Sequence, residues 1–133
     1  MIALEQVTKI YPGNVKALKG ISLKVRKGEF VFIVGESGSG KTTLFKLLLK
    51  ELEPTSGTIY INNHNLDRLK RRNLPKLRRG IGVVFQDFRL LDHMSAFDNV
   101  ALPLRVCGMD EREVRKRVTE LLQWVELDKK IRE

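Results

Sequence analysis

Cysteine is almost absent from this sequence. Cys107 is the one thiol, so no internal disulfide can form and a reducing compartment is favoured. Aromatic residues are few, at 7% of 133 residues. No run of about 18 apolar residues occurs, which excludes the pattern of a membrane-spanning helix. Met1-Ile2-Ala3-Leu4-Glu5 lacks the basic and apolar regions of a signal peptide. Acidic groups are the scarce charge, 16 against 25 basic ones, a formal net charge of +9. What is plentiful is the 42% of apolar residues, enough for the core of one ordinary domain. These proportions predict a soluble cytoplasmic domain and exclude a disordered tail or a disulfide-stapled miniprotein.

The positive excess is local. Residues 66–80 hold seven basic groups against Asp67 alone, a net +6. Such a stretch can meet a phosphate backbone or an anionic membrane surface. However, no aromatic residue interleaves with these arginines to stack on bases. A solvated face with Leu66, Leu69, Leu74 and Leu77 turned inward accounts for it, and no nucleic-acid partner is expected.

Apolar periodicity gives the order of elements. Ile2, Leu4 and Val7 begin an extended segment, and Ile21, Leu23 and Val25 alternate with polar residues as in a half-buried strand. Tyr11-Pro12-Gly13-Asn14 between them predicts a tight turn. Phe30-Val31-Phe32-Ile33-Val34 is apolar throughout, the pattern of a central strand buried on both faces, and Ile81-Gly82-Val83-Val84-Phe85 reads the same way. Leu44, Leu47, Leu48 and Leu52 share one face of a helix that Pro54 and Gly57 end. Thr58–Ile61 predicts a short strand closed by Asn62-Asn63, and residues 66–79 a short helix interrupted near Pro75. Two helices follow. Ser95 and Asp98 have capping-box spacing before a helix that Pro103 should kink, and Asp110 and Glu113 repeat that spacing. Val114, Val118, Leu121, Leu122 and Val125 then form a helical stripe.

Gly35-Glu36-Ser37-Gly38-Ser39-Gly40-Lys41-Thr42 carries the chemistry. It matches G-x-x-x-x-G-K-[ST] between an expected buried strand and an amphipathic helix, the setting of a phosphate-binding P-loop. Glycines let the backbone turn tightly and aim successive N–H groups inward, and the helix N-terminus adds partial positive charge. Lys41 can reach the β- and γ-phosphates, the Thr42 hydroxyl can ligand Mg²⁺, and Thr43 is placed to donate to the α-phosphate. A chance match in a chain this long arises on the order of once in a few hundred sequences, so the motif predicts nucleoside-triphosphate binding.

Three further segments stand in order around the loop: Tyr11 in Val7-Thr8-Lys9-Ile10-Tyr11, Pro54-Thr55-Ser56-Gly57-Thr58-Ile59, and Gln86 after Val83-Val84-Phe85. Together they resemble the N-terminal part of an ATP-binding cassette (ABC) nucleotide-binding domain, and the likeness covers essentially the whole chain. The stretch from Leu74 to Leu91, above all Asp87-Phe88-Arg89-Leu90-Leu91, resembles the FtsE family of bacterial cell-division ABC ATPases. ATPases of lipoprotein release and macrolide export are the near alternatives.

The resemblance implies an α/β fold: a P-loop core at about 31–57 and 81–87, an antiparallel β-subdomain at about 1–30 and 58–63, and the start of a helical subdomain at about 88–133. It implies that Tyr11 stacks on adenine, and that Gln86 ligands Mg²⁺ and contacts the γ-phosphate region. Lys41 and Gln86 are thus the expected catalytic residues and Thr42 and Gln86 the metal ligands, with nucleotide held by Tyr11 and Gly35 through Thr43. ATP and Mg²⁺ are the implied cofactors. The implied partners are a second copy of the domain and an FtsX-like integral membrane protein, which places the ATPase on the inner face of the cell membrane.

Other parts of the family's machinery are missing. The sequence has no Leu-Ser-Gly-Gly-Gln signature and no Walker B aspartate followed by glutamate, and its histidines, His64 and His93, precede the region of the switch histidine. The chain therefore reads as stopping within the helical subdomain, able to bind nucleotide and inactive in hydrolysis on its own. Two rivals use the same loop, a small P-loop kinase and a nucleotide-binding module without turnover. The kinase leaves Tyr11, the Ser56-Gly57 segment and Gln86 without a joint explanation.

Overall fold

The structure is a computed structural model that describes residues 1–130. It divides into two compact units that meet in sequence between Gly80 and Ile81.

The first unit is built on an antiparallel sheet of four strands in the order β2-β1-β3-β4. These are β1 (Ile2–Tyr11), β2 (Val15–Val25), β3 (Ser56–Ile61) and β4 (His64–Asn65). The expected turn at Tyr11–Asn14 joins β1 to β2, with Tyr11 opposite Val15. Leu4 faces Leu23 on one side and Ile59 on the other, so the central strand is apolar where both neighbours are apolar. The register slips between Leu4 and Val7 against β2, and between Glu5 and Thr8 against β3. Gln6 takes a left-handed φ of 48° there, and its backbone and side-chain nitrogens both donate to Ser22 Oγ. Leu4, Val7, Leu18, Ile59, Ile61 and Leu66 are buried, with Leu44 and Leu47 of helix α1 (Lys41–Leu48).

The basic stretch forms a 3₁₀ turn at Arg71–Asn73 and a short helix α2 (Leu74–Arg79). Pro75 sits in the first turn of α2, where its missing N–H costs nothing, so it starts the helix instead of breaking it. Leu66 is buried and Leu69, Leu74 and Leu77 are half-buried beneath exposed arginines and lysines, as expected of a solvated face.

Two expectations are overturned. Neither Phe30–Val34 nor Ile81–Phe85 forms a strand. Phe30, Phe32 and Val34 are 80% or more exposed and Val84 is 95% exposed. The physical reason is the absence of partners: a central parallel strand exists only when neighbours hydrogen-bond along its edges, and no strand among the described residues pairs with either segment. Phe30 and Phe32 meet edge to face with ring centroids 4.8 Å apart, the only ring pair found among the described residues.

The second unit is a helical hairpin, α3 (Ala96–Val106) and α4 (Glu111–Trp124). Ser95 caps α3 by accepting from the Asp98 N–H at 3.1 Å and donating to Asp98 Oδ2 at 2.8 Å. The helix runs through Pro103 to a left-handed Gly108 at φ 80°. Gly108 N–H donates to the Arg105 carbonyl and Met109 N–H to the Leu104 carbonyl, a Schellman ending that turns the chain back. Asp110 caps α4 by accepting from the Arg112 N–H, while Glu113 pairs with Arg117 one turn on instead of closing a capping box. Ala101, Val114, Val118 and Leu122 form the core, with Phe97, Val100, Leu104 and Met109 packed on it. The stripe is narrower than the sequence predicts, because Leu121 and Val125 are exposed. Asn99 pins the preceding loop, accepting from the Leu91 N–H and donating to the carbonyls of Leu91, Met94 and Ser95.

Candidate functional site

The glycine-rich loop leads into α1, whose first residue is Lys41. Gly40 is the N-cap at φ 96°, and a Cβ there would lie 2.5 Å from the Ala17 carbonyl oxygen of β2. Only glycine accepts both the left-handed backbone and that approach. A glycine cap also leaves no side chain to satisfy the helix start. The first bond into the helix is Leu44 N–H to the Gly40 carbonyl at 2.9 Å, so the N–H groups of Lys41, Thr42 and Thr43 precede it. Those donors and the helix dipole suit an anion.

Lys41 lies back across the loop. Its ammonium donates to the carbonyls of Gly35 at 2.6 Å and Glu36 at 2.7 Å, and at 3.2 Å to Ser39 Oγ. Two backbone anchors hold the charge over the loop, while the longer contact to a serine hydroxyl is the one an anionic oxygen can replace. Ser39 N–H donates to the Glu36 carbonyl at 3.2 Å, tightening the turn, and Gly38 adds a left-handed residue at φ 80°. Gly35 does not adopt the left-handed conformation.

Tyr11, at the end of β1, comes to the same place. Its phenol oxygen shares a hydrogen bond of 3.2 Å with Thr43 Oγ1, and Thr43 is only 8% exposed. The structure thus brings together Tyr11, the loop from Gly35 to Thr42, and Thr43, all within the first unit.

The family profile described as "ABC transporter" matches residues 18–133. The chain belongs to the ABC transporter family. Curated relatives called cell division ATP-binding protein FtsE are 47% identical over 133 residues in Bacillus subtilis and 42% over 127 residues in Escherichia coli. Those alignments take in 100% and 96% of this chain and 58% and 57% of the relatives, so the chain spans less than three-fifths of their length. Among solved structures, a dimeric ATP-binding cassette in a post-hydrolysis state, bound to ADP and Pi, is 40% identical with a TM-score of 0.87. It is matched over 99% of this chain and 60% of its own. The cbiO1 cassette from Clostridium perfringens, part of the cbiONQ transporter complex, follows at 33% identity and a TM-score of 0.83, over 99% of this chain and 53% of its own. The fold is accordingly the α/β fold of ABC ATPase cassettes.

Gln86 lies in the second unit, exposed in the turn that follows Phe85. Phe88 and Arg89, just beyond it, both take left-handed φ values, 54° and 50°, and the Arg89 guanidinium stacks 3.8 Å from the Phe85 ring centroid. Bulky residues held so are costly, and they follow the expected metal ligand with Asp87 between.

The residues present fit a Mg²⁺–nucleotide. Mg²⁺ keeps several waters and takes few protein oxygens beside substrate phosphates, and the Thr42 hydroxyl is a donor of that kind. Lys9 was not singled out by the sequence, yet its ammonium sits 5.6 Å from the Tyr11 ring centroid. The signal was available: residues two apart on a strand share a face.

Proposed function

We propose that this chain carries the nucleotide-binding part of an FtsE-like ABC ATPase subunit that acts in cell division. ATP is held by Tyr11 against adenine and by Gly35, Glu36, Ser37, Gly38, Ser39, Gly40, Lys41, Thr42 and Thr43 around the phosphates. Lys41 neutralises charge on the terminal phosphates, and Thr42 and Gln86 ligand Mg²⁺. The bound metal supplies charge neutralisation across the β- and γ-phosphates. The protein works as a homodimer and passes the closure driven by ATP to an FtsX-like integral membrane partner, which keeps it at the inner face of the membrane. Within that plan residues of about 1–30 and 58–63 form the β-subdomain, 31–57 and 81–87 the P-loop core, and 88–133 the start of the helical subdomain.

The observation that carries this reading is the uncapped start of α1 beneath the Lys41 ammonium, with the Tyr11 hydroxyl against the same helical turn. The identity to FtsE relatives favours the cell-division branch over lipoprotein release or macrolide export. Titration of the chain with a fluorescent ATP analogue and Mg²⁺ tests it. Saturable binding that Lys41→Ala abolishes is expected; equal affinity in the variant would sink the assignment.

A further inference from the structure

The Tyr11 side chain is held at both ends. The Lys9 ammonium covers its ring at 5.6 Å and is itself tied to the Glu53 carbonyl at 2.7 Å. At the far end, the phenol meets Thr43 Oγ1 at 3.2 Å across 32 residues of sequence. A threonine in a helix commonly turns its hydroxyl to a carbonyl one turn back. Here the partner is a phenol from a strand, and the contact is partly buried, with Thr43 only 8% exposed.

A hydroxyl has one proton and two lone pairs. The phenol is the more acidic of this pair and therefore the better donor. When the Tyr11 O–H donates to Thr43 Oγ1, the threonine proton is left free and polarised toward a second acceptor. Thr43 stands in the first turn of α1, where that acceptor is an anion at the helix start. We propose that the Tyr11 hydroxyl is a positioning group for Thr43. It aims the threonine proton at the nucleotide's phosphates and so couples the base end of the site to its phosphate end. This rests on the nucleotide-binding reading above and assigns a role to an atom that ring stacking does not use.

Tyr11→Phe keeps the ring and removes the hydroxyl. Calorimetric titration with ATP and ADP, and NMR titration with adenosine, compare the two chains after matching their thermal melts. The expected result is affinity about three- to tenfold weaker for ATP and ADP, the worth of one hydrogen bond, with adenosine unchanged. In a Thr43→Val background Tyr11→Phe should cost nothing more, whereas in Thr43→Ser, which keeps a hydroxyl, the cost should return. Three results would overturn the proposal: full ATP affinity in Tyr11→Phe, an equal loss for adenosine, or a loss that multiplies with that of Thr43→Val. Failure of the unaltered chain to bind ATP at all overturns the nucleotide site itself, a distinguishable result.

Discussion

Arg105, in the last turn of α3, grips Glu111 at the start of α4 through two parallel hydrogen bonds of 2.7 and 3.0 Å. Its remaining guanidinium nitrogen donates to Asp98 at 2.9 Å, so one side chain ties the cap of α3 to the beginning of α4. Fork-on-fork geometry of this kind is the strong form of a charged pair.

Acid should loosen this hairpin. Hydrogen bonds from Arg105 lower the carboxyl pKa values of both Glu111 and Asp98 from ordinary values of 4.5 and 3.8. A carboxyl lowered on folding stabilises fully above its unfolded value and loses that contribution as pH falls through the folded one. The same bonds raise the Arg105 pKa, so Arg105 stays charged across the acid range. The melting temperature, followed by circular dichroism, should hold steady near neutrality and fall as pH drops below about 4.5. Arg105→Gln should flatten that fall; an unchanged slope would mean the pairs add nothing.

Two neighbouring leucines should behave oppositely. Leu122 is 2% exposed and Leu121 is 47% exposed. Leu122→Ala removes core volume and should destabilise by about 2–5 kcal/mol. Leu121→Ala should stay within about 0.5 kcal/mol, as exposed substitutions do. Urea denaturation measures both, and equal losses would contradict the narrow helical face.

Local chemistry was legible in the sequence and non-local pairing was not. Ser95 and Asp110 announced their helix starts because capping is settled within three residues. The start of α1 at Lys41, directly after Gly40, was legible for the same reason. Phe30–Val34 and Ile81–Phe85 show the opposite limit: uniform apolarity states that both faces want cover, but hydrogen-bonding neighbours come from elsewhere in a chain. Periodicity alone puts Leu121 and Val125 on the helical stripe, yet a small partner helix covers only a narrow part of it. The slip between Leu4 and Val7 depends on Ser22 of another strand, and no pattern within β1 signals it. The Tyr11–Thr43 contact likewise needed the fold, since 32 residues separate the pair.

Binding and turnover should separate in this chain. Phosphoryl transfer to water needs an oriented nucleophile as well as charge stabilisation. The Gln86 amide is neutral and cannot take a proton from water, and the sequence holds no Walker B aspartate–glutamate pair. Steady-state phosphate release by the mass-verified chain should therefore not exceed that of Lys41→Ala. Lys41-dependent release at the rate of a complete cassette would require another carboxylate to act as base.

Where ATP lands is the most direct test of the nucleotide site. Amide chemical shifts of the isotope-labelled chain, recorded during titration with Mg²⁺–ATP, report every backbone N–H at once. The largest changes should fall on the residues from Gly35 to Thr43, where the uncapped donors lie, with a second group at Tyr11 and its strand neighbours. Saturation with those amides unmoved, or with shifts centred on the basic stretch from Arg68 to Arg79, would contradict a nucleotide site at the start of α1.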